Sequence, residues 1–251
     1  MKKTFLLLIL SFFALQSCNI NSEIVYHKDA ASTSIMDIDM KEFMKEMKAM
    51  TPDSLKRQEF GDIDKIPTSW TSIYEMDQKE GKLKTKDPDS IRIMKKILMK
   101  GSKENNEPTG FSLKLDHFSQ ADFKLLNNFT KQEKLPLDHN IYNSWDGKTL
   151  TIDTDNFDLK SLENALNSKQ SLEDKEALSE GSTAGMMLMF FKNIQTTLKF
   201  ENKIKSITGK HDWVTKVDDY SIRIKYDLES MFSDDKKPLE NADKKIIIVT
   251  E

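Results

Sequence analysis

Ile194-Gln-Thr-Thr-Leu-Lys-Phe200, Trp213-Val214, Ile222-Arg-Ile-Lys-Tyr226 and Ile246-Ile-Ile-Val249 decide the class of fold. In the first stretch Ile194, Thr196, Leu198 and Phe200 fall on every second position, the period of a half-buried strand. Gly209-Lys210 and Asp218-Asp219 stand where turns are needed, and connections this short favour antiparallel pairing. The C-terminal third is therefore expected to be an antiparallel meander.

Upstream, strand and helix signals come in blocks rather than in regular alternation, which points to α+β and away from a doubly wound sheet. Glu23 to His27 and Ser34 to Met40 read as strands, the second with Met36, Ile38 and Met40 on one face. Met40, Phe43, Met44, Met47 and Met50 then recur at helical spacing up to Pro52. A helix opening at Pro67-Thr68-Ser69 carries Ser72 and Glu75 at capping-box spacing and stops at Gly81, and a second runs from Asp89-Ser90 to Gly101. Ser102 to Pro108 reads as a polar loop, Phe111, Leu113 and Leu115 as a strand, and Ser119 with Asp122 as the start of a further helix. Asp146-Gly147, flanked by Ile141 to Trp145 and Lys148 to Ile152, predicts a hairpin with a type I′ turn. Asp158 and Ser171 to Ser179 mark shorter helices, and the apolar run Met186 to Phe191 favours helix over strand. The expectation is a single α+β domain over 23–251, an antiparallel sheet of meander and hairpins packed with several amphipathic helices. A helical insertion is expected around 41–130.

The chain has 251 residues, 38 basic and 41 acidic side chains and a net charge of −3, without a long run of either sign, which argues against nucleic-acid binding. At 37% apolar it has enough material for a core. Lys2-Lys3 precede an apolar stretch, Phe5 to Leu10 and Phe12 to Leu15, too short to span a bilayer but suited to an export signal. It ends at Leu15-Gln16-Ser17-Cys18, which resembles the bacterial lipobox: Leu at −3, a small residue at −1 and Cys at +1. The resemblance implies cleavage between Ser17 and Cys18 by a type II signal peptidase, diacylglyceryl alkylation of the Cys18 thiol and acylation, with palmitate for example, of the new amine. Residues 1–17 would then be a signal peptide and 18–22 a lipidated tether. Asn19 at +2, where Asp would retain a lipoprotein in the inner membrane of some bacteria, implies the outer membrane, and the single acid in 19–23 implies the periplasmic side. Cys18 is the sole cysteine, so no disulfide is expected. Separately, Leu198-Lys-Phe200, Ile204, Ile207 and Ser221 to Leu228 resemble the closing strands of the LppM-type envelope lipoproteins, a family that implies a membrane-anchored α+β domain associated with envelope lipids.

Candidate chemistries are weak by comparison. Met40, Met44 and Met47 would place three thioethers on one helix face, a Cu(I)-like set, but with Phe43 in the stripe core packing is the better reading. His27, His117, His139 and His211 have no zinc spacing. Asp153 to Asn164 opens like an EF-hand loop but lacks its glycine and terminal glutamate. Gly110-Phe-Ser112 and Ser233-Asp-Asp-Lys236 are incomplete nucleophile motifs. No catalytic residue, metal or cofactor is therefore expected. The chain reads as a membrane-anchored envelope lipoprotein, a non-enzymatic module binding an apolar or amphiphilic envelope component or a partner protein. The alternative is an envelope hydrolase with acid and base drawn from distant segments, Asp37, Asp39, Asp116 and His117 first among them.

Overall fold

The computed structural model describes residues 18–41, 44–45, 63–133, 144–154, 191–227 and 239–251. Along the chain these give β1 (Cys18–Tyr26), β2 (Ser32–Asp39), β3 (Thr71–Ser72), α1 (Ile73–Lys79), α2 (Pro88–Lys96), β4 (Ile97–Glu104) and β5 (Glu107–Phe118). There follow α3 (Gln120–Glu133), β6 (Thr149–Asp153), β7 (Phe191–Phe200), β8 (Ile204–Thr208), β9 (Val214–Lys216), β10 (Ser221–Asp227) and β11 (Lys245–Thr250). An eight-stranded sheet runs β3-β4-β5-β2-β1-β7-β10-β9, and a three-stranded sheet runs β6-β11-β8. Pairing is antiparallel except between β1 and β7, which run side by side from Cys18 opposite Phe191 to Tyr26 opposite Phe200. The chain is α+β and dominated by antiparallel sheet.

Several expectations are corrected. The C-terminal third is not one meander: β7, β10 and β9 belong to the large sheet, while β8 leaves it to pair with β11 in the small one. Helix is scarcer than expected, limited among the described residues to α1, α2, α3, a turn at Lys41, Met44 and Lys45, and short 3₁₀ turns such as Ile63–Lys65. The stretch expected to be a helical insertion supplies β3, β4 and β5 to the sheet. In particular α2 stops at Lys96, and Ile97 and Leu98, which continue its apolar stripe, open β4 instead. The first helix starts later than its Pro67 signal, after Ser72, which caps it with the full reciprocal box to Glu75. Strand β1 begins at Cys18, five residues before the Glu23 start, so 18–22 are paired backbone.

The two-residue type I′ hairpin lies elsewhere than predicted. Asn105 and Asn106, in the stretch read as a loop, both take positive φ, 51° and 64°, between the paired Glu104 and Glu107. At Asp146-Gly147 only the glycine does, at 97°, and the Asp146 Oδ1 atom accepts the N–H groups of Lys148 and Thr149 at 2.9 and 2.6 Å. A Cβ on Gly147 would lie 2.7 Å from the Lys28 carbonyl oxygen, so this turn packs directly beneath the one joining β1 to β2. Trp145 bridges Leu150, while Ile141 to Asn143 lie outside the described residues. So do the expected helices at Asp158 and Ser171 to Ser179, and 186–190 of the Met186 to Phe191 run; Phe191 itself is in β7.

Register decides where the core lies, because residues directly opposite one another across a sheet share a face. Tyr26 faces Phe200 and Ser32, Ser32 faces Phe118, and Ile24 faces Leu198 and Ser34. Leu198 faces Ile222, Ser34 faces Leu115, and Leu115 faces Ile97. Two buried clusters therefore occupy one face of the large sheet. Tyr26, Leu198, Phe200, Ile222 and Ile224 pack with Leu150, Ile152, Ile204, Ile246 and Ile248 of the small sheet and with Trp145. Ile97, Leu115 and Phe118 pack with Ile93 of α2 and Phe123 and Leu126 of α3. The other face carries Glu23, Asp37, Lys199, Arg223 and Lys225, the polar side that an antiparallel sheet can leave in water.

Met44 is 3% exposed, which makes its thioether core material and takes it out of any accessible thioether site; Met47 lies outside the described residues. Met44→Ala is expected to cost about 2–5 kcal/mol, and the volume-conserving Met44→Leu less than about 1.5 kcal/mol, in urea unfolding. Equal, small losses in both variants would contradict a packed side chain.

Candidate functional site

Three distant segments meet at the end of the large sheet where β1 and β7 finish: the β1–β2 turn, the end of β5 and the end of β7. His27 directly follows β1, Glu201 directly follows β7, Thr33 is the second residue of β2, and His117 sits near the end of β5. His117 is there because β5 bulges: Ser32 and Ser34 face Phe118 and Leu115, three residues apart against two, and His117 takes φ of 51°. The two imidazole rings lie 4.7 Å apart between centroids.

The cluster is joined by short hydrogen bonds. His27 Nδ1 lies 2.8 Å from Glu201 Oε1, and Nε2 lies 2.9 Å from Thr33 Oγ1. The His117 amide donates to Thr33 Oγ1 at 3.1 Å, and His117 Nε2 lies 2.7 Å from Asp29 Oδ2. The Lys28 amide donates to the other Glu201 oxygen at 2.9 Å, the Ala31 amide to Asp29 Oδ1 at 3.1 Å, and the Trp145 indole N–H to the His27 carbonyl at 2.7 Å. In the tautomer that directs Nδ1–H at Glu201, Nε2 accepts the Thr33 hydroxyl proton while Thr33 Oγ1 accepts the His117 amide through a lone pair. That is a carboxylate, imidazole and hydroxyl in sequence, the layout of a proton relay. The His27 bond lowers the Glu201 pKa, helped by the Lys28 amide; the Ala31 amide and then His117 lower that of Asp29.

Of the hydrolase suspects, His117 alone enters this cluster. Asp37 accepts the Ser112 hydroxyl, Asp39 accepts the Lys41 amide at 2.9 Å, and Asp116 pairs with Lys114 at 2.8 Å. The histidines divide in the same way. His211 is buried against Trp213 in the small-sheet region, burial depressing its pKa, and His139 lies outside the described residues. Among the described residues no three His, Cys, Asp or Glu side chains are grouped so that they could hold a metal ion. Most of Asp153 to Asn164 and all of Ser233 to Lys236 lie outside them. Ser112 is a buried strand residue hydrogen-bonded to Asp37.

A second cluster is not announced by the sequence. Asp122, 1% exposed, takes both Arg92 and Lys96, which stand one turn apart on α2, and also caps α3 with Ser119. Burial alone would raise its pKa, but hydrogen bonds from Lys96, Ser119 and Arg92 outweigh it and hold the carboxyl far below the usual carboxylate range. Its parts are in the sequence, with Ser119 and Asp122 at cap spacing and Arg92 and Lys96 at i,i+4, but nothing local links the two. This is a staple between helices rather than a reactive site.

No family model and no curated protein sequence matches the chain. Among solved structures it is similar to the folded domain of LppM from Mycobacterium tuberculosis, determined by NMR, at 12% identity with a TM-score of 0.35. That similarity covers 94% of this chain and 92% of the other, and is too loose to carry a functional argument.

The staple predicts an acid limb. A carboxyl whose folded pKa lies below its unfolded value contributes stability that is complete above the unfolded pKa of about 3.9 and is lost as the pH falls toward the folded pKa. Asp122→Asn should flatten the stability profile below about pH 4, and Asp122→Ala should cost about 3 kcal/mol at neutral pH, the low end for a broken buried pair because Arg92 and Lys96 can turn to water. Urea titrations from pH 2.5 to 7 measure both; an unchanged acid limb in Asp122→Asn would contradict this account.

Proposed function

We propose that the chain is a lipid-anchored protein of the bacterial cell envelope, acting as a binding or structural module for an amphiphilic envelope component or a partner protein. The observation that carries this is the run from Lys2-Lys3 through the apolar stretch to Leu15-Gln16-Ser17-Cys18. Two or three acyl chains on Cys18 would hold the domain on a membrane, at about 0.8 kcal/mol per buried CH₂. Asn19 favours the outer membrane, facing the periplasm. Met36, Ile38, Phe111 and Leu113 lie half-buried on the apolar face of the large sheet, toward the end that holds Cys18, and suit an amphiphilic ligand. Growth with an alkyne-bearing palmitate analogue should label the wild-type protein and not Cys18→Ser, which should also leave the membrane fraction. Labelled Cys18→Ser would defeat the reading.

The hydrolase reading has one observation in its favour, the Glu201, His27 and Thr33 sequence. In such a reaction the Thr33 oxygen attacks an acyl carbonyl as its proton passes to His27 Nε2. That proton then leaves with the alcohol, and water resolves the acyl-threonine through the same imidazole. The His27 side chain is only 18% exposed, but Glu201 is 41% exposed, and a carboxylate open to water orients an imidazole weakly. The binding reading is therefore the stronger one. It predicts that a fluorophosphonate probe leaves Thr33 unmodified by mass spectrometry; stoichiometric labelling abolished by His27→Gln would make the protein a hydrolase.

A further inference from the structure

The register of β1 fixes what lies at each end of the large sheet. β1 starts at Cys18 and is already paired there, Cys18 opposite Phe191 and Ile20 opposite Ile38, so no free chain separates the lipobox cysteine from the sheet. Eight residues on, at about 3.3 Å each, the strand ends roughly 26 Å away at Tyr26, beside the His27 and His117 cluster. β5 runs in the same direction as β1, since both are antiparallel to β2. Met40, two residues past the partner of Ile20, donates its amide to the Thr109 carbonyl at 2.8 Å, which places Thr109 about level with Cys18. The β4–β5 hairpin therefore continues past that level through Pro108 and Glu107 to its turn at Asn105-Asn106, about 10 Å further at the usual strand rise. Its tip is polar, with Lys103, Glu104, Asn105, Asn106 and Glu107 all exposed. Polar groups there suit a headgroup layer and not the acyl interior.

We propose that the bilayer surface itself is a partner of this domain: anchored at Cys18 without a spacer, the large sheet stands end-on to the membrane, its Asn105-Asn106 hairpin in the headgroups and its His27–His117 end pointing away. This rests on lipidation of Cys18, as proposed above, and adds an orientation to it. Anchors joined through flexible chain allow a domain to tumble over the distance the linker spans. An acyl group on the first residue of a paired central strand does not. The cluster of Asp29, His27, His117 and Glu201 is thereby presented to the envelope space and kept from the headgroups.

The test uses the lipidated protein in phosphatidylethanolamine and phosphatidylglycerol vesicles carrying a headgroup-linked energy acceptor. Alkylation consumes the Cys18 thiol, so an added cysteine is the unique labelling site. Donor dye on Glu107→Cys, beside the hairpin turn, should transfer energy at least twofold more efficiently than donor on Lys28→Cys, at the opposite end. A ten-residue Gly-Ser segment inserted between Cys18 and Asn19 should abolish the difference. Equal transfer from the two labels in the parent would overturn the proposal, and so would a difference that survives the insertion. Vesicle flotation checks the anchor independently: flotation with equal transfer sinks the orientation alone, whereas no flotation sinks the lipid anchor and the orientation together.

Discussion

Among the described residues the buried apolar core lies against one face of an eight-stranded sheet, and the alternation that puts it there has to stay in phase across every pair. Strand β5 is where the phase is reset. Leu113 and Leu115 face the core, and two further residues would bring His117 to that face and turn Phe118 to water. The extra residue at the bulge restores Phe118 to the core, fully buried beside Phe123. The cost is a left-handed histidine, a conformation that L residues seldom hold without support. The support is visible: the His117 amide rests on Thr33, its ring on Asp29, and its carbonyl accepts Lys96 Nζ at 2.8 Å. A demand of core packing thus creates the polar cluster.

Two unlike covers share that single face, which explains how far the sequence can be read. Strands β2, β7 and β10 show their period of two because each has one face on the core and one in water. The caps of α1 and α3 show because Ser72 with Glu75 and Ser119 with Asp122 act within a few residues. Where the decision is tertiary the local pattern misleads. Ile97 continues the stripe of α2 at helical spacing, yet it is drawn into the sheet opposite Leu115. Asn105-Asn106 lacks the glycine that announces a type I′ turn, although asparagine tolerates the same conformation. No local pattern could join His27 to His117, ninety residues on, because their meeting depends on strand order and on one bulge. The split of the last strands between two sheets is equally hidden, since nothing local in Ile204 to Thr208 announces which sheet β8 joins.

Two kinds of chemistry are held well apart in this architecture. The proposed lipid anchor, Cys18, stands at one end, placed there by a sequence motif. Titratable groups arranged for hydrogen bonding cluster at the far end, by topology. The buried Asp122 staple adjoins the second through Lys96, which also holds the His117 carbonyl, and clamps α2 to α3 over the helical half of the core, as the small sheet covers the other half.

The parallel pairing of β1 with β7 has a consequence for the order of assembly. β1, β2, β5 and β4 are joined by antiparallel neighbours and can assemble from the first half of the chain, but β7 arrives only with residues 191–200. Until then nine residues of a strand destined for the middle of the sheet show a bare row of N–H and C=O groups. Pairing over so long a loop is slow to form. The composition of β1 suits that wait, since Asn19, Asn21, Ser22 and Glu23 make its exposed edge a poor template for other chains, whereas the valine- and isoleucine-rich run usual in a central strand would be a ready one. The polar residues that disguise this strand as a tether are the same ones that protect it while its partner is missing.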